Sequence, residues 1–426
     1  MINQTRNDVV HSLSGRFYYG WVIVAVAGLC MFASGSGQSH TFSVFINPIS
    51  ETLGLRKRDI AFAYAVATLA AAFLLPKMGR LLDHFGPRMT LIAVTSTLGL
   101  ACMFFGAAAN IIWLAVGFAA LRFLGQGATM MSSANLVAQW FLAKRGFAMS
   151  LIGLGFAASM AVHPLLGEFL IGQFGWRKAW VMLGLLTWIT MIPVLLFLVF
   201  DKPESIGLQI DGEKAQSGDD SALASTGLTL ALAKKELSFY LLCGIWFIVG
   251  GLVTVLHFFQ VSVLTNQGLD SSQAARLFSV SALTAAVTIP FIGRIYDTFR
   301  TRYVIATELF LIAAAMVAIT LVAGMAGGII YAVIFGLCNA FMLTMFGYIW
   351  PRYFGRAHLG SIQGQGQMFG IIGASLAPIP VGHAIDVQGS AQSVLWLLAV
   401  IACIVGIVAI LKLRTPYGVE TPLGLE

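Results

Sequence analysis

The chain has 426 residues, of which 58% are apolar and only 10% charged, with a formal net charge of +7 and a mean hydropathy of +0.86. Soluble domains carry roughly 25% charged residues, so this composition cannot clothe a water-facing surface and excludes a soluble enzyme. Stretches such as 111–120 and 189–200 are continuously apolar, without the two-residue alternation of a membrane-barrel strand, which leaves a polytopic α-helical membrane protein.

The first sixteen residues are polar and run into a long apolar stretch. That stretch exceeds a signal-peptide core and lacks a small-residue cleavage site behind it, so it is read as retained. Twelve spans are expected near 18–40, 60–80, 88–108, 111–133, 146–168, 178–200, 238–262, 273–293, 303–324, 328–350, 359–381 and 391–412. The segment 201–237 holds Asp201, Glu204, Asp211, Glu213, Asp219 and Asp220 among serines and glycines. It reads as a flexible linker on the cytoplasmic side, separating a six-helix lobe at 1–200 from another at 238–426. The expected fold class is therefore an all-α membrane protein, two pseudo-symmetric six-helix bundles.

Placing both termini in the cytoplasm puts 18 Lys and Arg residues in cytoplasmic segments and 6 in external ones, with Arg122 inside a span. That asymmetry fits the positive-inside rule, and it assigns the net positive charge to orientation, not to a nucleic-acid surface. The external cluster Arg56-Lys57-Arg58 runs against the rule. The five cysteines (Cys30, Cys102, Cys243, Cys338 and Cys403) sit singly in apolar runs and read as free thiols, neither a disulfide scaffold nor a metal site. With no phosphate loop, Ser-His-Asp set or metal-ligand spacing, no cofactor, metal or enzymatic activity is expected.

A repeat is visible. Gly79-Arg-Leu-Leu-Asp83-His-Phe-Gly86-Pro-Arg88 follows the second span, and Gly293-Arg-Ile-Tyr-Asp297-Thr-Phe-Arg300-Thr-Arg302 follows the eighth, the matching Gly, Asp and Arg standing 214 residues apart. Trp140-Phe141 and Tyr353-Phe354, each before a basic loop, are a weaker echo. Duplicated halves mark a transporter built from repeats. Asp and Arg at helix ends can bind helix termini and each other, so the two loops are candidates for a conformational gate formed by Gly79, Asp83, Gly86 and Arg88 with Gly293, Asp297 and Arg302.

Twelve spans, the six-plus-six split and G-x-x-x-D-x-x-G-x-R after the second span resemble the major facilitator superfamily over the whole chain. His84 and Pro87 replace basic residues of that family's pattern, which implies a weaker or pH-sensitive gate. Three further stretches resemble the monocarboxylate porter and oxalate–formate antiporter branch: Trp140-Phe-Leu-Ala-Lys-Arg-Gly146 with Gly153 and Gly155, Phe174-Gly-Trp-Arg177, and Tyr353-Phe-Gly-Arg-Ala-His-Leu-Gly360. This resemblance implies carriage of small organic anions, often with a proton. Members commonly place an arginine before Pro-x-x-Gly in the eighth span; here Ile289 precedes Pro290-Phe-Ile-Gly293.

Polar residues within the spans are the candidate site. Arg122 lies eleven residues into the fourth span, about 16 Å deep at 1.5 Å per residue. Inserting it costs at least about 2.5–3.5 kcal/mol, so it must face protein or a water-filled cavity. It serves either as an anion or proton-linked group, or as a member of a buried ion pair or a carbonyl-bound clamp between helices. Asn339 sits at similar depth in the tenth span and could bond substrate or another helix. His40 at the end of the first span, His163 in the fifth and His257 in the seventh can titrate near neutrality; Gln260 shares a face with His257. Tyr64 and Trp246 are deep enough to line a cavity or to pack. His257, His163 and Glu168 are the proton-coupling candidates. Glu308 lies near the inner end of the ninth span, which leaves no carboxylate at mid-depth. Trp21, Trp176 and Trp180 read as interfacial anchors, and Gly153-x-Gly155 and Gly364-x-Gly366 as packing surfaces.

The sequence thus points to a monomeric secondary transporter of the inner membrane, carrying a small organic anion of the monocarboxylate type with a proton or a counter-anion. The alternatives are efflux of drugs or hydrophobic compounds, transport of a siderophore or other metabolite, and a non-transporting receptor. The first of these loses weight because His163 precedes Pro164 where exporters carry a Gly-Pro motif in the fifth span.

Overall fold

The computed structural model describes residues 18–141, 145–209, 228–354 and 359–414. Lys144, Asp211, Glu213, Lys214, Asp219, Asp220 and Arg356 lie outside the described residues. Among those described, the regular structure is helical. We number the long helices α1 (Gly20–Leu53), α2 (57–85), α3 (87–106), α4 (111–140), α5 (145–174), α6 (176–198), α7 (Leu237–Asn266), α8 (Ser271–Thr298), α9 (Thr301–Thr320), α10 (Gly324–Phe354), α11 (359–388) and α12 (Gln392–Lys412).

Among the described residues, eleven helical stretches are long and apolar enough to cross a bilayer. One of them, Leu151–Leu198, has 48 residues. It would reach about 72 Å if straight, more than twice the ~30 Å hydrocarbon core, and it turns at Gly175, giving α5 and α6. Phe73 and Ile112 are 71% and 74% exposed. An outer surface of such side chains suits a lipid solvent, in which every backbone polar group must be satisfied within the helices.

By packing, the chain forms two compact units: Met1–Phe45 with Ala70–Ser217, and Ile46–Leu69 with Gly218–Glu426. In the first, Phe42, Phe45, Phe105 and Phe118 gather around Trp180, with ring centroids 4.6–5.7 Å from the Trp180 ring for the first three. Trp180 is completely buried and Trp176 nearly so, so neither is an interfacial anchor. Their place next to a helix start misleads, because α6 turns that face into the unit's core. Of Gly153 and Gly155 on α5 only Gly155 packs closely, since a Cβ there would collide with the Gly28 carbonyl of α1, whereas Gly153 has open space around it.

The first helix corrects the expected boundary. It continues past His40 to Leu53, so His40 lies within the span, not at its end. The run Ser34–Ser43 resembles an exit to water because it is polar. Yet Ser34, Ser36, Gln38, Ser39, His40, Thr41 and Ser43 are all buried, facing other helices of the unit.

Two turns share one geometry. Gly86 between α2 and α3 has φ 76° and ψ 162°, and Gly175 between α5 and α6 has φ 76° and ψ 160°. Each sits in the motif Phe-Gly-x-Arg, 89 residues apart. Each arginine donates to a carbonyl of the unit: Arg88 Nη2 to Leu196 at 3.1 Å and Arg177 Nη2 to Ala108 at 3.0 Å. A short repeat inside the first half fits the nested three-helix repeats of such carriers. Backbone at these angles is tolerated essentially only by glycine, with a cost of roughly 1–3 kcal/mol for other residues. Gly86→Ala and Gly175→Ala should each lower the thermal unfolding midpoint of purified protein. Gly153→Ala, in a helix and with open space around it, should leave the midpoint unchanged or raise it.

Candidate functional site

In the first unit the site begins with a break in α1. Gly20–Ala33 is α-helical, Ser34–Gly37 tightens to a 3₁₀ turn, Gln38 is extended (φ −98°, ψ 151°), and the helix restarts at Ser39. Opposite it α4 loosens, Arg122–Thr129 adopting a π-helical turn, a feature frequent at functional sites. The two irregular segments touch backbone to backbone. A Cβ on Gly37 would collide with the Leu121 carbonyl, and one on Gly125 would lie 2.8 Å from the Gly37 Cα. The interrupted helix frees the Gly37 carbonyl, which accepts from Arg122 Nη1 at 3.1 Å, with Ser39 Oγ at 3.4 Å from the same nitrogen. Arg122 is 2% exposed.

On the other side of the break, α5 approaches. A Cβ on Gly35 would collide with Ser159 and His163. Ser159 Oγ bridges two imidazoles, 3.2 Å from His40 Nε2 and 3.2 Å from His163 Nδ1. Phe156 and Phe32 stand against the rings of His40 and His163 respectively. The structure thus gathers Arg122, His40 and His163 around one break, with Ser39 and Ser159 as connectors. Glu168, five residues beyond His163, is partly buried.

In the second unit, His257 of α7 lies parallel to Phe278 of α8 and 4.7 Å from Phe335 of α10. The Phe335 carbonyl accepts from Asn339 Nδ2 at 2.8 Å. Asn339 is fully buried, and its Oδ1 has no hydrogen-bond donor among the described residues. Gln260 accepts from the Tyr331 hydroxyl at 3.0 Å and donates to the Ala274 carbonyl at 3.3 Å, tying α7, α8 and α10 together. Tyr64 is fully buried, its ring 4.5 Å from that of Phe258. Trp246 donates to Gln367 at 3.1 Å.

Of the loop motifs, Gly79, Asp83 and Asp297 are described only as helical backbone. Gly86 and Arg88 are held by an acid the motif does not contain: Asp201 Oδ1, just after α6, accepts from the Arg88 backbone N–H at 2.8 Å. This caps α3, and a Cβ on Gly86 would crowd the same carboxylate. In the second loop Gly293 has open space around it, and Arg302 stands 5.0 Å over the Tyr303 ring. Asp201, Ser39 and Ser159 were missed from sequence. Their signals were an acid at the first position after an apolar span, and hydroxyl residues within apolar helices.

The basic cluster at Arg56–Arg58 also has its acids. Arg56 pairs with Asp59 at 3.0 Å and Arg58 with Asp59 at 3.5 Å. Asp386 of α11 caps the start of α2, Oδ1 accepting from the Lys57 N–H at 3.0 Å and Oδ2 from the Arg58 N–H at 2.7 Å, within the second unit. Gly382 lets α11 come this close, since a Cβ there would meet the Lys57 carbonyl at 3.0 Å.

Helices broken inside a bundle, paired by small residues around a buried cation, define a polytopic membrane transporter. The Major Facilitator Superfamily model matches residues 27–378 and 262–424, and the chain belongs to that family. Human monocarboxylate transporter 2 is 22% identical over 297 residues, 66% of this chain and 60% of that protein. The oxalate:formate antiporter of Oxalobacter formigenes is 25% identical over 199 residues, 46% of each chain. The matches thus span about half to three-fifths of these relatives' own length. A multidrug resistance protein B homolog of Mycobacterium tuberculosis is 27% identical over 38% of this chain and 30% of its own. The solved structure of a bacterial homolog of the human lysosomal transporter Spinster, inward-facing and occupied, superposes with a TM-score of 0.67 at 15% identity, covering 94% of this chain and 99% of that one, which shows the fold.

Removing a cap costs about 0.5–2 kcal/mol. Asp386→Ala should therefore lower the thermal midpoint, while Asp386→Asn, which keeps an acceptor, should recover much of the loss.

Proposed function

We propose that the protein is a secondary transporter that moves a small organic anion of the monocarboxylate type across the inner membrane by alternating access. In this reading the drive is a co-transported proton or an exchanged anion, and both termini are cytoplasmic. The observation that carries the reading is Arg122, a buried guanidinium beside the start of the half-helix Ser39–Leu53. The N-terminal end of a helix carries partial positive charge, and discontinuous membrane helices present such ends to anionic substrate groups. Arginine and helix terminus together would attract a carboxylate. Ser39 and His40 would orient it, and the Ser159-linked His163 would adjust the local charge.

With Ile289 in the eighth span where the resembled branch carries an arginine, Arg122 would take this task. Within the second unit, Asn339, with an open acceptor among the described residues, and His257 would be substrate contacts, with Tyr64 and Gln260 as further candidates. His257, His163 and Glu168 remain the proton-coupling candidates, and the two G-x-x-x-D loops the gate. The monocarboxylate and oxalate:formate relatives support an anion. The multidrug relative supports efflux of hydrophobic compounds, for which a buried cation next to a helix N-terminus offers no evident use.

Radiolabelled lactate, formate and oxalate uptake into proteoliposomes tests the reading. Losing a hydrogen bond to a charged group costs about 1.5–3 kcal/mol, so Arg122→Gln should reduce uptake of the transported anion roughly tenfold or more. Arg122→Lys should retain part of it. Unchanged uptake in Arg122→Gln, or ATP-independent dye efflux indifferent to all three acids, would remove the anion reading.

A further inference from the structure

Depth along the sequence sets Glu308 aside, but burial does not. It lies in the third turn of α9, is fully buried, and neither carboxyl oxygen has a hydrogen-bond partner among the described residues. Among the described residues no cation forms an ion pair with it. An unpaired carboxylate in such a place would be uncompensated charge in a low-dielectric interior, whereas the neutral acid is tolerated. The side chain is therefore suited to hold a proton.

The surroundings offer a route. Tyr296 at the end of α8 is fully buried, has no hydrogen-bond partner for its hydroxyl among the described residues, and lies within electrostatic reach of Glu308. Its ring is 5.1 Å from that of Tyr348 on α10. Arg352 Nη1 donates to the Tyr348 hydroxyl at 2.9 Å and to the Tyr296 carbonyl at 2.9 Å. Arg352 and Tyr348 are only partly buried. Phenols and a guanidinium thus lead from the carboxyl toward the end of the bundle where α8 stops, α9 starts and α10 ends. Tyr353 also lies within electrostatic reach of Tyr296.

On its other side Glu308 is within electrostatic reach of Cys338, the residue before Asn339. The remaining helices against α9 are α7 and α12. They carry Tyr240, Cys243, His257, Cys403 and Lys412 as their other ionisable residues.

We propose that Glu308 is a proton-binding site of the second unit, loaded and unloaded past Tyr296, Tyr348 and Arg352, and linked through α10 to Asn339. The role as coupling site rests on the carrier reading above; the proton-binding role does not. One step balances: a hydronium or a relay hydroxyl gives a proton to a Glu308 oxygen, and the reverse transfer restores the carboxylate and the donor. No bond other than O–H forms or breaks.

Infrared difference spectroscopy of detergent-purified protein between acid and alkaline pH reads the site without any substrate. Wild type should show the carbonyl stretch of a protonated buried carboxyl. Glu308→Gln should lose that band, and Glu308→Asp should shift it. A spectrum in which the Glu308→Gln band is identical to wild type overturns the proposal. So does a wild-type spectrum with no protonated-carboxyl band at any pH, which keeps the test decisive should Glu308→Gln not fold. In proteoliposomes, using whichever of lactate, formate or oxalate wild type transports, Glu308→Gln should keep anion exchange at the wild-type rate. It should lose accumulation driven by a pH gradient. Full gradient-driven accumulation in Glu308→Gln overturns the coupling role. If none of the three acids is transported, the anion reading fails while the infrared result still judges the proton site.

Discussion

The contact between Gly37 and Gly125 governs the first unit. In a bilayer no hydrophobic drive distinguishes helix from lipid, so helices associate through close packing and hydrogen bonds. Two glycines let the backbones of α1 and α4 meet, and neither helix stays regular there. The 3₁₀ turn and the extended Gln38 release a carbonyl from the ladder of α1. The π turn carries Arg122 to it. The bond that makes an arginine tolerable at this depth also fixes its position. A larger residue at either glycine would separate the helices and strand both the carbonyl and the guanidinium.

The two units are furnished differently. Around the break in α1 the first unit collects a cation, two imidazoles and several hydroxyls. The second collects aromatic rings and amides: His257 between Phe278 and Phe335, Asn339 on the Phe335 carbonyl, and Gln260 joining three helices. Its one deeply buried acid among the described residues, Glu308, lies within electrostatic reach of Tyr296 and Cys338. A division between anion attraction in one unit and proton handling in the other is consistent with this chemistry, and it is the reading that joins the two proposals.

Much of the fold was legible because membrane helices are written in long apolar runs, and the family was legible because the loop after α2 repeats after α8. The identity of Arg122 as the informative residue was legible too, since one charge in an apolar span has a large insertion cost. Its partner was not. Nothing in one sequence says that α4 meets α1 at Gly37, because glycine serves equally for turns, flexibility and contact. The first span was read as ending at His40, since hydroxyl-rich segments look alike at helix ends and in helix interfaces. Asp201 and Asp386 were hidden for a related reason: each caps a helix distant in sequence, and a cap is recognised from sequence only when it precedes its own helix.

The most direct measurement is the thermal stabilisation of purified protein by small organic acids, compared between wild type and Arg122→Gln. A ligand at 100 times its dissociation constant stabilises by about 2.7 kcal/mol. Lactate, formate or oxalate should therefore raise the wild-type midpoint by several degrees and leave that of the variant unmoved. Equal stabilisation of both proteins would contradict anion binding at Arg122.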